Sequence, residues 1–328
     1  MMKFLAILCL VSLVFFISDV GAKNPKKDCL KYDYYKKTTC PQAEDVVAEM
    51  MKDSVGEDFR VAPRILRMHF HDCFVRGCEG SILLDSTPTE KAEKDARPNN
   101  PSLQGFDVIN KIKAALEKQC PKVVSCADIL AYAARESVKL TGKYMHYPVR
   151  GGRKDGVVSR EAEALQNLPP PFANVDTLIK MFAAKNLTLE EMVTLSGGHS
   201  IGGSFCSSIS RRYDNFNNTG KPDPTLNSDL AAVLRKQCAS LTNRVVMDTI
   251  TPTGLDNKYY TGLLQNKGLF TSDATLLTNN KTLKEVKRNV FIPSDWEKKF
   301  AKAMIKMGEI EVLTGDEGQI RVKCNLRN

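Results

Sequence analysis

The segment Arg67-Met-His-Phe-His-Asp-Cys-Phe74 contains the residues whose types and spacing best suit chemistry. Arg67 and His71 are four residues apart, so on a helix they share one face, with Phe70 beside them. A histidine base can move a proton, and a fixed cation can stabilise the negative charge that develops as an oxygen–oxygen bond stretches. This face is therefore suited to splitting a peroxide. The alternative is an amphipathic core helix whose histidines have no chemical role.

A second candidate is His199, one of four histidines in the chain, which ends a predicted helix within Leu195-Ser-Gly-Gly-His-Ser-Ile-Gly202. Gly197 and Gly198 ahead of it allow close approach of the backbone, which would suit a flat cofactor lying against the chain. A histidine at a helix end is equally well explained as a structural residue that interacts with the helix dipole.

Two clusters of oxygen-bearing side chains could bind calcium. Asp72 is followed by Glu79 and Ser81, and a similar set recurs between Asp248 and Asp256. Carboxylates, hydroxyls and turn carbonyls are the ligands that calcium prefers. Each cluster could instead be ordinary turn chemistry, in which Asp and Thr side chains hydrogen-bond to their own backbone.

The N-terminus has the pattern of a secretory signal peptide, predicted over residues 1–22. Lys3 is followed by an apolar run from Phe4 to Ile17 and by small residues ending at Ala22. No other apolar stretch approaches about 18 residues, so no membrane span is predicted and the mature protein should be soluble. Residues 23–328 contain no linker and are predicted to form a single domain.

The chain has ten cysteines, of which Cys9 lies in the signal peptide. In an exported chain the other nine should mostly form disulfides, and the odd number leaves at least one thiol free or bonded to another molecule. Spacing alone does not pair them, although Cys73 and Cys78 could close a tight loop. Export also disfavours a zinc site at His69, His71, Asp72 and these two cysteines, because thiolates survive best in reducing compartments. Three sequons, at Asn186, Asn217 and Asn280, are candidate glycosylation sites.

The formal net charge is +9, which in a secreted protein favours acidic polysaccharide or charged surfaces as partners. No basic stripe interleaved with aromatic residues indicates nucleic-acid binding. A basic, solvated surface without a specific partner explains the charge equally well.

The coarse pattern is helical, and we predict a mainly α fold. Apolar residues at three- and four-residue spacing, with N-cap signals at Ser125 and Thr188, predict helices over the following segments: 43–55, 60–71, 106–120, 126–138, 175–184, 189–197, 229–237, 256–264, 282–290 and 295–309. Alternation typical of strands is confined to short pieces such as 319–322.

Together these motifs identify a resemblance to the secreted haem peroxidases of plants, the class III family that includes horseradish peroxidase. The resemblance spans nearly all of residues 29–328, with the motifs in the family's order. It depends on the following segments: Arg67–Cys78, Glu93–Ala96 with Asn99, Val124–Asp128, Asn167–Pro169, Leu195–Gly202, Asp248–Tyr260 and Gly268–Asp273.

The resemblance implies a haem peroxidase fold, with one haem b held between a distal and a proximal helix. His199 would be the proximal iron ligand, and Asp273 would accept its other ring proton. His71 would be the distal base, oriented by Asn99 with support from Glu93. Arg67 would stabilise the departing oxygen, and Phe70 would line the cofactor.

The resemblance also implies two calcium ions and four disulfides. The distal ion would be bound by Asp72, Glu79, Ser81 and the carbonyls of Val75 and Gly77, and the proximal ion by Ser200, Asp248, Thr251 and Asp256. The implied disulfides are Cys40–Cys120, Cys73–Cys78, Cys126–Cys324 and Cys206–Cys238, which leaves Cys29 over. Glu79 stands where the family usually has the shorter Asp, and Ser200 replaces the commoner Thr.

The implied activity is reduction of hydrogen peroxide with one-electron oxidation of small phenolic donors, and Pro169 matches the family's donor-side proline. Arg97 and Ser208 occupy donor-side positions where horseradish peroxidase has aromatic residues. The protein is expected to be a monomer, outside the cell, in the cell wall or in the vacuole. The alternative hypothesis is a non-catalytic protein that binds acidic cell-wall polysaccharide on the same scaffold.

Overall fold

The structure is a computed structural model that describes residues 30–143 and 145–328. The expected signal peptide and Cys29 lie outside the described residues. Within them the chain is mainly helical, as predicted. The helices are α1 (Ala43–Glu57), α2 (Val61–Val75), α3 (Phe106–Gln119), α4 (Cys126–Thr141), α5 (Glu161–Asn167), α6 (Val175–Ala184), α7 (Leu189–Ser196), α8 (Ser210–Tyr213), α9 (Ser228–Gln237), α10 (Lys258–Leu264), α11 (Thr271–Ala274), α12 (Asn280–Phe291) and α13 (Pro293–Met307).

The longer helices begin where the sequence has capping residues. The hydroxyl of Ser125 accepts a hydrogen bond from the amide of Asp128 at the start of α4. Thr188 and Glu191 form a capping box at the start of α7. Pro63 is tolerated in α2 because it lies in the first turn, where amide groups have no partner inside the helix.

The part of the chain that the structure describes has two short strands, which were not predicted. β1 (Gly203–Phe205) pairs antiparallel with β2 (Arg244–Val246), with Phe205 opposite Arg244. The strand predicted at 319–322 is wrong, since only Gln319 forms an isolated bridge, with Asp155. Pairing stops there because the carboxylate of Asp155, and not a neighbouring backbone carbonyl, accepts the amide hydrogen of Arg321 at 2.9 Å.

The main core lies where α2 and α1 both pack against α4. Alanines on α4, such as Ala131 and Ala134, are buried, and their small side chains allow close helix contact. A second core region lies where α13 packs against α7, around the fully buried Trp296. A smaller separate cluster surrounds Cys206 and Cys238.

Four disulfides form among the described residues, and they are the pairs that the family resemblance implies: Cys40–Cys120, Cys73–Cys78, Cys126–Cys324 and Cys206–Cys238. The third ties the start of α4 to the C-terminal segment across 198 residues. In that segment Arg321 is fully buried, and its Nη2 donates to the carbonyl oxygen of Gly80 at 2.6 Å. The last residues of the chain therefore support the loop that follows α2.

None of the helices in the described residues combines the length and apolar character that a membrane span requires.

Candidate active site

Helix α2 places Arg67, Phe70 and His71 on one face, because residues three and four positions apart are neighbours on a helix. The helix extends to Val75, four residues beyond the predicted end. Asp72 therefore lies within it, next to His71 in sequence but on the adjoining face. One helix thus carries both the candidate base and the first candidate calcium ligand.

His71 is buried and fixed by a chain of two hydrogen bonds. Its Nδ1–H donates to Oδ1 of Asn99 at 2.5 Å, and Nδ2 of Asn99 donates to the backbone carbonyl of Glu93 at 2.6 Å. Because the amide oxygen only accepts, the ring proton lies on Nδ1 and Nε2 is left as the basic nitrogen. Glu93 supports Asn99 through its backbone and not through its carboxylate.

The electrostatics keep His71 neutral. Burial and the nearby charge of Arg67 hold its pKa well below the ordinary value, against the opposing effect of the Asn99 hydrogen bond. Burial and the charge of Arg244 lower the pKa of Arg67 to about 10, so its guanidinium stays charged at neutral pH. Nη2 of Arg67 donates to the carbonyl of Pro98 at 2.8 Å and to the hydroxyl of Ser102 at 3.1 Å. A neutral base and a fixed cation are thus held side by side.

Phe70 belongs to an aromatic group beside this face. Its ring centroid lies 4.4 Å from that of Phe74 and 5.5 Å from that of the His71 imidazole. Phe182 of α6 stacks on Phe70 at 6.4 Å. The group makes one wall of the site apolar, which suits a flat aromatic cofactor.

His199 lies in a 3-10 turn, Gly197–Ser200, directly after α7. Its Nδ1–H donates to Oδ1 of Asp273 at 2.8 Å. The imidazole is 41% exposed, whereas Asp273 is buried. The ring is therefore fixed through one nitrogen while Nε2 remains open to a ligand, which is the arrangement that an iron-binding histidine needs.

Asp273 serves two donors with the same oxygen. Its Oδ1 also accepts the phenol hydrogen of Tyr259 at 2.8 Å, and its Oδ2 accepts the amide of Phe270 at 2.9 Å. Burial alone would raise the pKa of Asp273, but His199 and these hydrogen bonds outweigh it and hold the pKa below the ordinary value. Asp273 is thus an ionised acceptor. Nothing in the sequence assigned a role to Tyr259, which is 14 residues away along the chain.

The two glycines before His199 have different neighbours. A Cβ added to Gly197 would lie 2.7 Å from both Cζ2 of Trp296 and the hydroxyl of Tyr260, so this glycine serves protein packing. A Cβ on Gly198 would meet nothing closer than Cδ2 of Leu66, at 3.9 Å. Only Gly198 therefore leaves open space, and it does so facing α2, which carries Arg67 and His71.

The candidate distal calcium residues form a buried group with unsatisfied oxygens. Oδ2 of Asp72 accepts the amide of Gly80 at 2.9 Å. Oε1 of Glu79 and Oγ of Ser81 are buried, and neither makes a hydrogen bond within the described residues. Burial raises the pKa of Asp72 to about 7, and burial together with repulsion from Asp72 raises the pKa of Glu79 to about 8. A cation would relieve both effects, so the residues fit calcium.

The two carbonyls expected to bind this ion also accept hydrogen bonds, and each keeps a second lone pair for a cation. The carbonyl of Val75 accepts a hydrogen bond from Nζ of Lys185 at 3.3 Å, and that of Gly77 accepts one from the amide of Glu79 at 2.8 Å. The extra length of Glu79 is accommodated by Gly156, because a Cβ there would lie 1.5 Å from Oε2 of Glu79.

The candidate proximal calcium residues are also brought together. The hydroxyl of Thr251 lies 3.0 Å from both Oδ2 of Asp248 and Oδ1 of Asp256. Oγ of Ser200, which is buried, accepts the amide of Asp256 at 3.2 Å. Burial and the charge of Asp248 raise the pKa of Asp256. This oxygen-rich group fits calcium and is connected to His199 through the adjacent Ser200.

Pro169 is half-buried, two residues after α5. The carbonyl of Pro171 accepts the amide of Ser272, which places this segment beside α11 and Asp273. The cysteines of the group His69, Cys73 and Cys78 are bonded to each other as a disulfide, so they offer no thiolate to zinc.

Comparison with known proteins agrees with the fold and the motifs. A family model described as Peroxidase matches residues 44–290. Peroxidase 5 of Vitis vinifera is 52% identical over 303 residues, covering 91% of this chain and 92% of its own. Peroxidase 1 of Arabidopsis thaliana is 41% identical, covering 99% of this chain and 100% of its own. Peroxidase 2 of Zea mays is 45% identical, covering 91% of this chain and 89% of its own.

A mainly helical fold with these matches defines the class of protein as a peroxidase. The chain belongs to the peroxidase family, and the resemblance to class III plant peroxidases is confirmed. It is a peroxidase enzyme, and the family implies haem and calcium binding, with hydrogen peroxide and an electron donor as substrates.

Proposed function

We propose that the protein binds one haem b between α2 and the turn that carries His199. Nε2 of His199 would hold the iron, since Nδ1 is committed to Asp273. Phe70 and the open space at Gly198 would accommodate the flat ring. When bound, the haem supplies the redox chemistry, accepting two oxidising equivalents from peroxide and passing them on in one-electron steps.

The residues of α2 then cleave hydrogen peroxide by moving one proton. The unprotonated Nε2 of His71 takes the proton from one peroxide oxygen and returns it to the other, which departs as water. The charge of Arg67 stabilises the negative charge on the departing oxygen. The hydrogen bond from His71 to Asn99 is the observation that carries this assignment, because it leaves the basic nitrogen beside the guanidinium.

The electron donors are small phenols that enter on the side of Pro169. Two calcium ions, one in each oxygen-rich group, stabilise the two halves of the site. The protein is secreted to the cell wall after removal of residues 1–22, and it acts as a monomer. The non-catalytic alternative, binding of acidic polysaccharide, is not favoured, because it requires none of Arg67, His71, Asn99 and His199.

The test is the reaction of the haem-loaded protein with hydrogen peroxide, followed by stopped-flow absorbance of the haem. His71→Ala should slow the reaction by several orders of magnitude, and His146→Ala is the matched control that should leave the rate unchanged. Equal rates in His71→Ala and the unaltered protein would overturn the assignment of the base.

A further inference from the structure

Four arginines lie close enough to interact near the N-terminal end of α2, and we call them the arginine cluster: Arg60, Arg64, Arg67 and Arg244. The first three follow at spacings of four and three, so they share one side of α2 and its preceding residue. The fourth is on β2, opposite Phe205 of β1. The residue before β1 lies beside α2, because a Cβ on Gly202 would lie 3.0 Å from Cβ of Pro63.

The arginine cluster has few anionic partners within the described residues. Asp58 pairs with Arg60 at 2.8 Å and with Arg64 at 3.1 Å. Arg67 donates only to a carbonyl and a hydroxyl. The guanidinium carbon of Arg244 lies 4.0 Å from the ring centroid of Phe205, a contact that orients the charge without neutralising it. Among the described residues, the cluster therefore combines four positive charges with a single paired carboxylate, that of Asp58.

The like charges also influence each other. Burial and the charges of Arg64 and Arg60 lower the pKa of Arg244, and Arg244 in turn lowers that of Arg67. In addition, Nε of Arg64 is buried without a hydrogen-bond partner in the described part of the chain. A concentration of positive charge with unused donors attracts an anion, and the planar guanidinium matches a carboxylate best.

We propose that the arginine cluster is a carboxylate-binding site at the edge of the catalytic face, with Arg244 as the residue that distinguishes carboxylate-bearing ligands from neutral ones. The proposal rests on the proposed function, since the ligand must reach the face of Arg67 and His71. Two ligands carry the same chemistry: the propionates of the haem, and the carboxylate of a phenolic acid donor such as a hydroxycinnamate.

The variants are Arg244→Gln, which removes the charge, and Arg244→Lys, which keeps it. Arg244 is exposed and its guanidinium lies over the Phe205 ring, so neither change should disturb folding. Arg235→Gln is the matched control, because Arg235 is an exposed arginine of α9 that forms an ion pair with Asp214 at 3.6 Å.

The first arm measures kcat and KM for 4-hydroxycinnamate and for its methyl ester. If the cluster binds the donor, Arg244→Gln should raise KM for the acid about five- to tenfold and leave that for the ester unchanged. Arg244→Lys should recover part of the loss. High salt should reduce the preference for the acid in the unaltered protein.

The second arm titrates the haem-free protein with haem and with haem dimethyl ester, following absorbance without turnover. If the cluster binds the propionates, Arg244→Gln should weaken the binding of haem severalfold but not that of the diester. The proposal is overturned if Arg244→Gln matches Arg235→Gln in both arms. Failure of the unaltered protein to oxidise even the methyl ester would instead count against the proposed function, and the titration alone would then decide on the cluster.

Discussion

His71 is held in one tautomer, since its Nδ1–H has the amide oxygen of Asn99 as acceptor. The same residue is buried beside a guanidinium, and burial and this charge keep Nε2 free of a proton at neutral pH, against the opposing effect of the Asn99 hydrogen bond. The ability of His71 to act as a base therefore depends on the position of the Arg67 charge as well as on the imidazole itself. Arg67 has two separable effects: it stabilises the departing oxygen, and it lowers the pKa of the base.

The second effect predicts a pH dependence. The base acts only when unprotonated, so activity falls as the pH drops through the pKa of His71. In the unaltered protein this fall should occur well below pH 6.5. Arg67→Gln removes the lowering charge and raises the pKa, so the fall should begin at a higher pH, in addition to a loss of about 10²–10³ in rate.

The measurement is the rate of reaction with peroxide between pH 4 and 8. Arg235→Gln serves as the control for the loss of one positive charge far from His71. An Arg67→Gln profile that keeps the acid limb of the unaltered protein would contradict the electrostatic coupling.

The turn between α2 and the residues near Ser81 shows how a departure from the family pattern is accommodated. Glu79 is one methylene longer than the usual Asp, and Gly156 leaves the space for its carboxylate. Gly156→Ala should therefore displace Glu79 and weaken calcium binding at the distal site. Combining it with Glu79→Asp should restore binding, because the shorter side chain ends before the new methyl group.

Calcium retained per protein after dialysis against a chelator measures this prediction. Glu79→Asp alone is the control, since it keeps the carboxylate and the glycine. Additive losses in the double variant would show that the two residues do not share the space.

The turn that carries His199 depends on the packing of Gly197 between α10 and α13. Gly197→Ala brings a methyl group to 2.7 Å from Trp296 and Tyr260, and it should cost about 1–3 kcal/mol in free energy of unfolding. Gly198→Ala, with its nearest neighbour at 3.9 Å, should change the stability by less than about 0.5 kcal/mol. Denaturant unfolding of both variants checks the difference, and equal losses would refute the packing role of Gly197.

At the scale of elements, the sequence predicted what periodicity can encode. Residues 175–184 form a helix with the predicted bounds, and the capping pair Thr188–Glu191 opens α7. Short helices such as α5 and α11 were missed, because one or two turns show no period and are stabilised by tertiary contacts. The β1–β2 pair was missed because its strands have three residues each and lie about 40 positions apart.

The candidate active site likewise has features that the sequence predicts and contacts that it does not. The types and spacing of Arg67, His71 and His199 were readable from the sequence. The sharing of Asp273 with Tyr259, and the support of Arg67 by Pro98 and Ser102, join residues far apart in the chain. These contacts depend on how helices pack, which local patterns do not encode.

At the scale of the whole molecule, the disulfides join cysteines whose separations along the chain differ widely. Cys126–Cys324 joins residues 198 positions apart in the sequence, and Cys73–Cys78 joins residues five positions apart. Since the loss of chain entropy in the unfolded state grows with loop length, replacing Cys126 and Cys324 by Ala should cost about 2–5 kcal/mol in stability. Replacing Cys73 and Cys78 by Ala should lower the stability by less.

Denaturant unfolding under oxidising conditions compares the two double variants. A larger loss for the pair of short span would mean that local support of the end of α2, and not loop closure, determines the contribution of these bonds.

The contact between Arg321 and Gly80 joins residues 241 positions apart. A ribosome makes the chain from its N-terminus at about 5–20 residues per second, so Gly80 emerges about 12–50 seconds before its partner exists. Throughout that interval the loop after α2 lacks one of its supports, however early the helices around it form. The loop after α2 therefore gains this support only once Arg321 has been made, and a substitution at Arg321 would harm a site encoded 241 codons earlier.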